Sequence, residues 1–227
     1  MIATTSLRTV VAWLALAFAG TALAADSAPA QRDWRFTAFL DGKPIGSHHF
    51  ALEGGEGGAR TLTSDARFDV KLLGLTVYRY GHHVSERWQG NCLAALTART
   101  DDDGQVTDVR AQVSDAGLVV RTSLTGKAAQ TLPEPAPVAG CVMSFAYWNP
   151  ALRSQRRLLD PASGKLETVQ IAPLPEKAIE VRGQPVTARG WRIDGLAHPI
   201  DVWYAGDEWI GLDTVVERGR RLSYRPS

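Results

Sequence analysis

The clearest pattern in the chain is an alternation of apolar and polar residues over positions 61–72. Apolar or small side chains occupy the even positions and polar side chains occupy the odd ones. Because successive side chains of a strand point to opposite faces of a sheet, this pattern predicts a strand with one buried and one solvated face. A helix would scatter the same residues around its axis.

Similar segments separated by turn residues fill most of the remaining chain. Residues 34–40 and 45–52 flank a turn that begins with Asp41 and Gly42, and the acidic run 101–103 ends at Gly104 in another predicted turn. Many strands with almost no helix predict an all-β fold. Because several strands are long, we expect an antiparallel meander that curves into a barrel or half-barrel rather than a compact sandwich.

One short helix is expected within this β-rich chain. Asn149 followed by Pro150 is typical of a helix N-cap with proline at the first helical position. The predicted helix covers about residues 150–158 and ends before the turn residues 160–164. Upstream, three prolines within residues 127–140 predict an irregular crossing segment.

The N-terminus has the features of a secretory signal peptide. Arg8 precedes an apolar stretch at 10–18, and the small-residue triplet 22–24 predicts cleavage after Ala24. An uncleaved anchor is the alternative. We expect a signal peptide at 1–24, a flexible segment at 25–32 and a single β-rich domain at 33–227. The predicted location is therefore periplasmic or secreted, with no transmembrane segment in the mature chain.

Charge and cysteine content narrow the function classes. The leader carries one of the 25 basic residues, which leaves 24 basic and 24 acidic residues in the mature chain, so we expect no nucleic-acid partner. Cys92 and Cys141 are the two cysteines of the sequence, and in an oxidising compartment they most simply form one disulfide. A catalytic thiol is the alternative, although no neighbouring residue is arranged to lower its pKa.

The stretch 78–88 holds the candidate chemistry. In one uninterrupted strand, a single face would carry Tyr78, Tyr80, His82, Val84, Glu86 and Trp88. A carboxylate on such a face is costly to bury unless it is paired. The structural interpretation is a polar network inside the barrel. The functional interpretation is a ligand pocket with apolar walls and few polar groups.

His48 extends this candidate site. It shares the apolar parity of Phe50 and Leu52, so His48, His82 and Glu86 could meet across the sheet as zinc ligands. Their spacing is not specific for a metal, and we predict neither a metal nor another cofactor. The predicted ligand-binding residues are His48, Tyr78, Tyr80, His82, Glu86 and Trp88.

Known nucleophile and metalloprotease motifs are missing from the sequence, which makes an enzyme the less favoured class and leaves catalytic residues unassigned. The leading hypothesis is a noncatalytic exported protein that binds a small apolar or lipid-like ligand inside its curved sheet. Two alternatives stay open. One is an enzyme that uses the His82 and Glu86 pair; the other is an envelope assembly or partner-binding factor, with partners unknown, that exposes an apolar patch or sheet edge.

Several phrases together resemble a known family. They are residues 40–46 with His48 and Phe50, the stretch 78–88, and the segments 141–150, 158–164 and 201–204 with Trp209. This set resembles the bacterial exported proteins with domain of unknown function 6134, which are distantly similar to the domain of unknown function 3108 family. The resemblance covers most of the mature chain and implies export and β-architecture, with no established activity.

Overall fold

The structure is a computed structural model that describes residues 31–126, 130–131 and 136–227. The predicted signal peptide lies outside these ranges, as do residues 25–30 of the predicted flexible segment and residues 127–129 and 132–135 of the proline-rich crossing. Within the described part of the chain, no helix is long and apolar enough to cross a membrane. Strands dominate, which confirms the predicted all-β class.

The described residues contain fifteen strands and three short 3-10 helices. The strands are β1 (Gln31–Leu40), β2 (Lys43–Gly54), β3 (Ala59–Leu72), β4 (Leu75–Gln89), β5 (Cys92–Asp102), β6 (Gln105–Ser114), β7 (Gly117–Thr125), β8 (Gln130–Thr131), β9 (Arg157–Leu159), β10 (Leu166–Thr168), β11 (Gln170–Val181), β12 (Gln184–Asp194), β13 (Ile200–Ala205), β14 (Glu208–Val216) and β15 (Arg220–Pro226). The 3-10 helices are Glu56–Gly58, Pro150–Ser154 and Glu217–Gly219.

Thirteen of these strands form one sheet in the order β11-β12-β13-β14-β15-β1-β2-β3-β4-β5-β6-β7-β8. Their pairings are antiparallel, and every neighbour follows in sequence except where the last strand, β15, pairs with β1. The sheet order thus confirms the predicted meander. In the described ranges the edge strands β8 and β11 do not pair with each other, so the sheet is curved but not closed.

The first strand begins two residues before the predicted domain boundary. Gln31 and Arg32 were expected in the flexible segment, but they pair with Glu53 and Leu52 of β2. Their side chains are exposed, so no apolar residue marked this start in the sequence.

The alternation at 61–72 is confirmed along most of β3. Leu62, Ser64, Ala66 and Phe68 are buried, while the odd positions between them are exposed. The pattern fails at Leu72, which has inward parity but is 64% exposed. Strand β2 pairs with β3 only as far as Phe68, so nothing in the sheet covers the residues beyond it on that side.

The predicted helix at 150–158 is wrong in length and type. Asn149 does cap a helical turn, since its Oδ1 accepts a hydrogen bond from the Ala151 amide at 3.0 Å, and Pro150 stands at the first position. This turn is a five-residue 3-10 helix that ends at Ser154. The chain then extends into β9, because Leu158 and Leu159 are fully buried and the Leu159 amide donates to the Met143 carbonyl.

An inner segment, residues 141–169, lies against the concave face of the sheet. It includes the short helical turn and the β9-β10 hairpin, and several of its side chains are completely buried. We call the end of the sheet to which the start of this segment is attached the closed end, and the opposite end the open end. At the closed end, where β4 leads into β5, the Cys92–Cys141 disulfide holds the inner segment and the Leu93 amide donates to Val142. At the open end, β1 leads into β2.

Candidate functional site

A cavity of about 430 Å³ lies on the concave face, bounded by strands β2 to β4, β14, β15 and the inner segment. Its apolar walls include Phe50, Leu62, Val84, Phe145, Trp148 and Leu222. The exposed residues of its lining, Ala197, His198 and Val215, lie at the open end, in the β12-β13 loop and near the end of β14. The cavity therefore opens to solvent there.

The structure brings four of the six predicted ligand-binding residues to this cavity. His48, Tyr80, His82 and Glu86 are part of its lining. The same strand face carries Tyr78 and Trp88, as predicted, but neither contributes to the cavity wall. Trp88 is buried at the closed end, where its ring packs edge-on against Trp148 at 5.4 Å between centroids.

Strand register places the two histidines in one row. Ala66 of β3 pairs with His48 on one side and with His82 on the other. Because neighbouring strands are about 4.8 Å apart, the two backbones are roughly 10 Å apart, with only a methyl side chain between them. The small residue at position 66 thus leaves space between the imidazoles on the concave face.

His48 is held between two hydroxyl groups. Its Nε2 lies 2.7 Å from Ser64 Oγ and its Nδ1 lies 3.2 Å from the Tyr224 hydroxyl, while its ring stacks on Phe50. Each hydroxyl can donate or accept, so both bonds form in either neutral tautomer. Burial lowers the pKa of His48 to about 3, with a further contribution from the His82 charge, so the imidazole is neutral at physiological pH.

His82 is also neutral. Its Nδ1 lies 2.8 Å from Thr100 Oγ1 on β5. Burial lowers the pKa of His82 to about 4, although the Asp160 carboxylate acts in the opposite direction. The ring therefore offers Nε2 as an uncharged donor or acceptor.

Glu86 belongs to a separate polar group nearer the closed end. Its carboxylate accepts a hydrogen bond from Trp88 Nε1 at 2.9 Å and a second one from the Ser144 side chain. Burial raises the pKa of Glu86 to about 7, and these two hydrogen bonds oppose the rise. Near neutral pH the carboxyl group is therefore partly protonated.

His48, His82 and Glu86, considered above as a possible zinc ligand set, do not form one cluster in the structure. His82 and Glu86 are four residues apart on β4, about 13 Å along a strand, and they bond to different partners. In the part of the chain that the structure describes, no three His, Cys, Asp or Glu side chains are grouped to hold a metal ion.

Sequence reasoning missed several polar members of the site. Ser64 was detectable, because it is a polar residue on the buried parity of β3. Tyr224 and Thr100 were not detectable. Tyr224 lies on β15, far from His48 in sequence, and Thr100 lies on β5, whose register against β4 the sequence does not show. Tyr147 comes from the inner segment, whose place on the concave face no local pattern indicates.

Comparisons with known proteins agree with this architecture. The crystal structure of a β-barrel-like protein of domain of unknown function DUF1849 from Brucella abortus is similar, with a TM-score of 0.58 over 88% of this chain and 96% of that one. At 10% identity this likeness shows a common fold alone. It is consistent with the expected distant relation to a second β-rich family, although the family found here is DUF1849.

No curated protein matches the sequence. The profile of the domain of unknown function DUF6134 matches residues 36–227, which is most of the chain and nearly all of the described sheet. The family expected from the quoted phrases is thereby confirmed: this chain belongs to the DUF6134 family.

Proposed function

We propose that this protein is exported to the cell envelope, where it binds a small, uncharged, lipid-like molecule in the cavity of its concave face. The observation that carries this proposal is the cavity lining, which combines aromatic and aliphatic walls with two neutral imidazoles, buried at His48 and half-buried at His82. Such a lining suits a largely apolar ligand that presents one or two hydrogen-bonding groups. His82 and the Tyr80 hydroxyl would receive its polar end near the open end of the sheet.

The charges around the cavity favour an uncharged ligand over an anionic one. Within the described residues, its lining contains no lysine or arginine. The Asp160 carboxylate lies at the lining and accepts hydrogen bonds from its own turn, from the Ala162 amide and the Ser163 hydroxyl. A fatty-acid carboxylate or a phosphate would therefore enter beside an acidic group and find no counter-charge, which costs binding energy.

Binding is favoured over catalysis by the state of His48. A serine hydroxyl 2.7 Å from an imidazole is the spacing of an activated nucleophile and its base. However, burial lowers the pKa of His48 to about 3, so this imidazole is a weak base at neutral pH. Ser64 and Tyr224 satisfy both of its ring nitrogens, which supports a structural role for the trio.

The decisive experiment compares a long-chain alcohol with the fatty acid of the same chain length. Each is titrated against protein loaded with N-phenyl-1-naphthylamine, a neutral apolar dye, and displacement is followed by dye fluorescence. We expect the alcohol to displace the dye at about tenfold lower concentration than the acid. Native mass spectrometry of protein purified from its own envelope should also show a copurifying apolar molecule.

A matched pair of variants locates the site. Ala162 lines the cavity and Ala116 lies in the exposed β6-β7 turn at the opposite end. Ala162→Trp fills the cavity and should weaken dye binding at least tenfold, whereas Ala116→Trp should leave it unchanged. Equal binding by both variants, or no dye binding and no copurifying molecule, would contradict the proposal.

Export has separate support. The signal-peptide pattern at 1–24 predicts it, and the Cys92–Cys141 disulfide is typical of proteins in oxidising compartments. Mass analysis of the protein from a periplasmic fraction should give a chain that starts at Ala25. A chain that keeps its leader in the cytoplasm, with both thiols reduced, would refute this part of the proposal.

A further inference from the structure

The β3-β4 hairpin extends beyond its neighbours at the open end. These two strands pair with each other up to Leu72 and Leu75. On the outer sides, β2 pairs with β3 only to Phe68, and β5 pairs with β4 only from Tyr80. Residues 69–79 thus form a two-stranded tip that is paired with neither neighbouring strand and that extends about four residues, or roughly 13 Å, beyond the last β2-β3 pair.

This hairpin tip is apolar. Among the described residues, six large apolar side chains are exposed, and four of them are in the tip: Leu72, Leu73, Leu75 and Val77. A fifth, Val215, lies at the same end and is part of the cavity lining. Val113 is at the opposite end. Exposed apolar residues that cluster in this way mark a contact surface rather than random surface variation.

The turn at the tip departs from its counterparts in the same chain. Among the described residues, five hairpin turns have a non-glycine residue at positive φ followed by a positive-φ glycine, and Leu73 is the one apolar residue among them: Asp41-Gly42, Leu73-Gly74, Asp103-Gly104, Arg182-Gly183 and Arg218-Gly219. Asn, Asp and Gly suit such turns because they tolerate the left-handed conformation. Leu73 adopts φ 50° and the residue is 95% exposed, so neither backbone preference nor burial explains a leucine there.

The tip and the cavity mouth lie at one end of the sheet. Ala197, His198 and Val215 at the mouth belong to strand ends and loops of the open end, and so does the β3-β4 turn. A lipid-like ligand, the class proposed above, has its reservoir in a bilayer. A contact with the bilayer at this end would bring the mouth to that reservoir.

We propose that the hairpin tip inserts into the surface of a lipid bilayer and holds the cavity mouth against it; the role in ligand transfer, though not the insertion, rests on the proposed function. Leu72 and Leu75 pair directly and share one face of the hairpin, while Leu73 lies at its end and is almost fully exposed. A bilayer accepts the end of such a tip without a matching socket, whereas a protein partner would need one. Insertion to the headgroup boundary, about 5–10 Å deep, is within the reach of the projection.

Charges at the base of the tip indicate which lipids it needs. Arg79 pairs with Asp69 at 3.6 Å, and Asp102 lies opposite Tyr80 beside the acidic β5-β6 turn. Lys71 adds one positive charge near the tip. Since these charges do not sum to a net positive charge, apolar burial should dominate and binding should depend little on anionic lipid.

Vesicle flotation tests the proposal. The protein recovered after expression of the full chain is mixed with vesicles of phosphatidylcholine, or of phosphatidylethanolamine with a minority of phosphatidylglycerol. We expect it to float with both, with affinities within about threefold. Leu73→Asp converts the tip turn into the Asp-Gly turn already present twice in this fold, so it should fold normally yet bind vesicles at least tenfold more weakly. Val113→Asp is the matched control at the opposite end and should bind like the unaltered protein.

A fluorescent label reports insertion directly. Both native cysteines are in the disulfide, so Leu73→Cys supplies the one free thiol for a polarity-sensitive fluorophore. Its emission should shift to the blue when vesicles are added. The same label at Asp115→Cys, in the β6-β7 turn, should not shift.

The outcomes separate this proposal from the ligand proposal. Leu73→Asp should still bind N-phenyl-1-naphthylamine, and Ala162→Trp should still float with vesicles. Flotation without dye binding would support insertion of the hairpin tip into the bilayer and would refute the ligand proposal. Dye binding without flotation, or equal flotation of Leu73→Asp and unaltered protein, would overturn the docking surface. If sedimentation instead shows a dimer that Leu73→Asp dissociates, the tip contacts a second copy and the bilayer proposal is wrong.

Discussion

The closed and open ends of the sheet use the same β3-β4 hairpin in opposite ways. At the closed end Trp88 is buried against the inner segment, and the disulfide fixes that segment to β5. At the open end the hairpin extends beyond its pairing with both neighbouring strands and exposes leucine and valine side chains to solvent. Stability is therefore concentrated at one end, and surface features suited to contact are concentrated at the other.

The buried polar groups divide along the same axis. Nearer the open end, His48 and His82 have lowered pKa values, so protonation below about pH 6.5 is resisted by the fold and acid destabilises it. Nearer the closed end, Glu86 has a raised pKa, so ionisation is resisted and alkali destabilises the fold. Neutral forms of both groups coexist between these limits, which is where a cavity for an uncharged ligand would work.

The largest expected loss of stability comes from a substitution in the core of the inner segment. Leu158 is completely buried in the inner segment, so Leu158→Ala should lower the free energy of unfolding by about 2–5 kcal/mol. The same change at the other end, Leu73→Ala, should alter it by less than about 0.5 kcal/mol, because that side chain is exposed. Urea denaturation of both variants measures the difference. Similar losses would mean that the hairpin tip is covered in the folded protein.

Removal of the disulfide comes next. Replacing Cys92 and Cys141 together with serine should lower the free energy of unfolding by about 2–4 kcal/mol, because the unfolded chain is no longer restrained over a separation of 49 residues. Urea curves of the unaltered protein with and without reductant provide the control. An unchanged midpoint in the double variant would show that packing alone holds the inner segment.

The pH dependence of stability that Glu86 causes is a further difference between the two ends. Because its pKa in the folded state, about 7, exceeds the ordinary value of 4.5, the fold loses stability as pH rises between these values and keeps that loss above them. The loss amounts to roughly 3 kcal/mol at 1.36 kcal/mol per pKa unit. Glu86→Gln still accepts the Trp88 hydrogen bond, so above pH 7 it should be more stable than the unaltered protein.

Denaturation midpoints measured from about pH 5 to pH 9 test this expectation. The two proteins should converge toward pH 5, where Glu86 is protonated in the folded chain. A variant that is less stable than the unaltered protein at every pH would show that the ionised carboxylate is stabilising.

The smallest effect concerns the trio near the open end. Ser64→Ala removes the hydroxyl 2.7 Å from His48 Nε2 and leaves a buried nitrogen without that partner, at a cost of about 1–2 kcal/mol. Ser47→Ala changes an exposed serine of β2 next to His48 and should be neutral. Equal stabilities of the two variants would indicate that water replaces the lost hydroxyl.

Local patterns predicted the β-class, the inward faces of β3 and β4, the buried position of His48 and the Asn149 cap. Each of these depends on residues close in sequence, because side-chain parity and capping act over one to three residues. The predicted helix past Ser154 was wrong because burial of Leu158 and Leu159 beside Met143 outweighs a local capping signal. His82 and Glu86 share a strand face but bond to different partners, because side chains four residues apart on a strand are not in contact.

By itself, then, the sequence determined the family, the strands, the faces that carry polar groups, and the two cysteines that could pair. The tertiary structure decided which partners those groups meet and how far each strand is covered. Tyr224 reaches His48 across 176 positions, and Leu72, although inward in parity, is exposed because β2 stops pairing with β3 at Phe68. Alternation along a strand is a local property, whereas burial depends on where the neighbouring strands end, and that is set by long-range pairing.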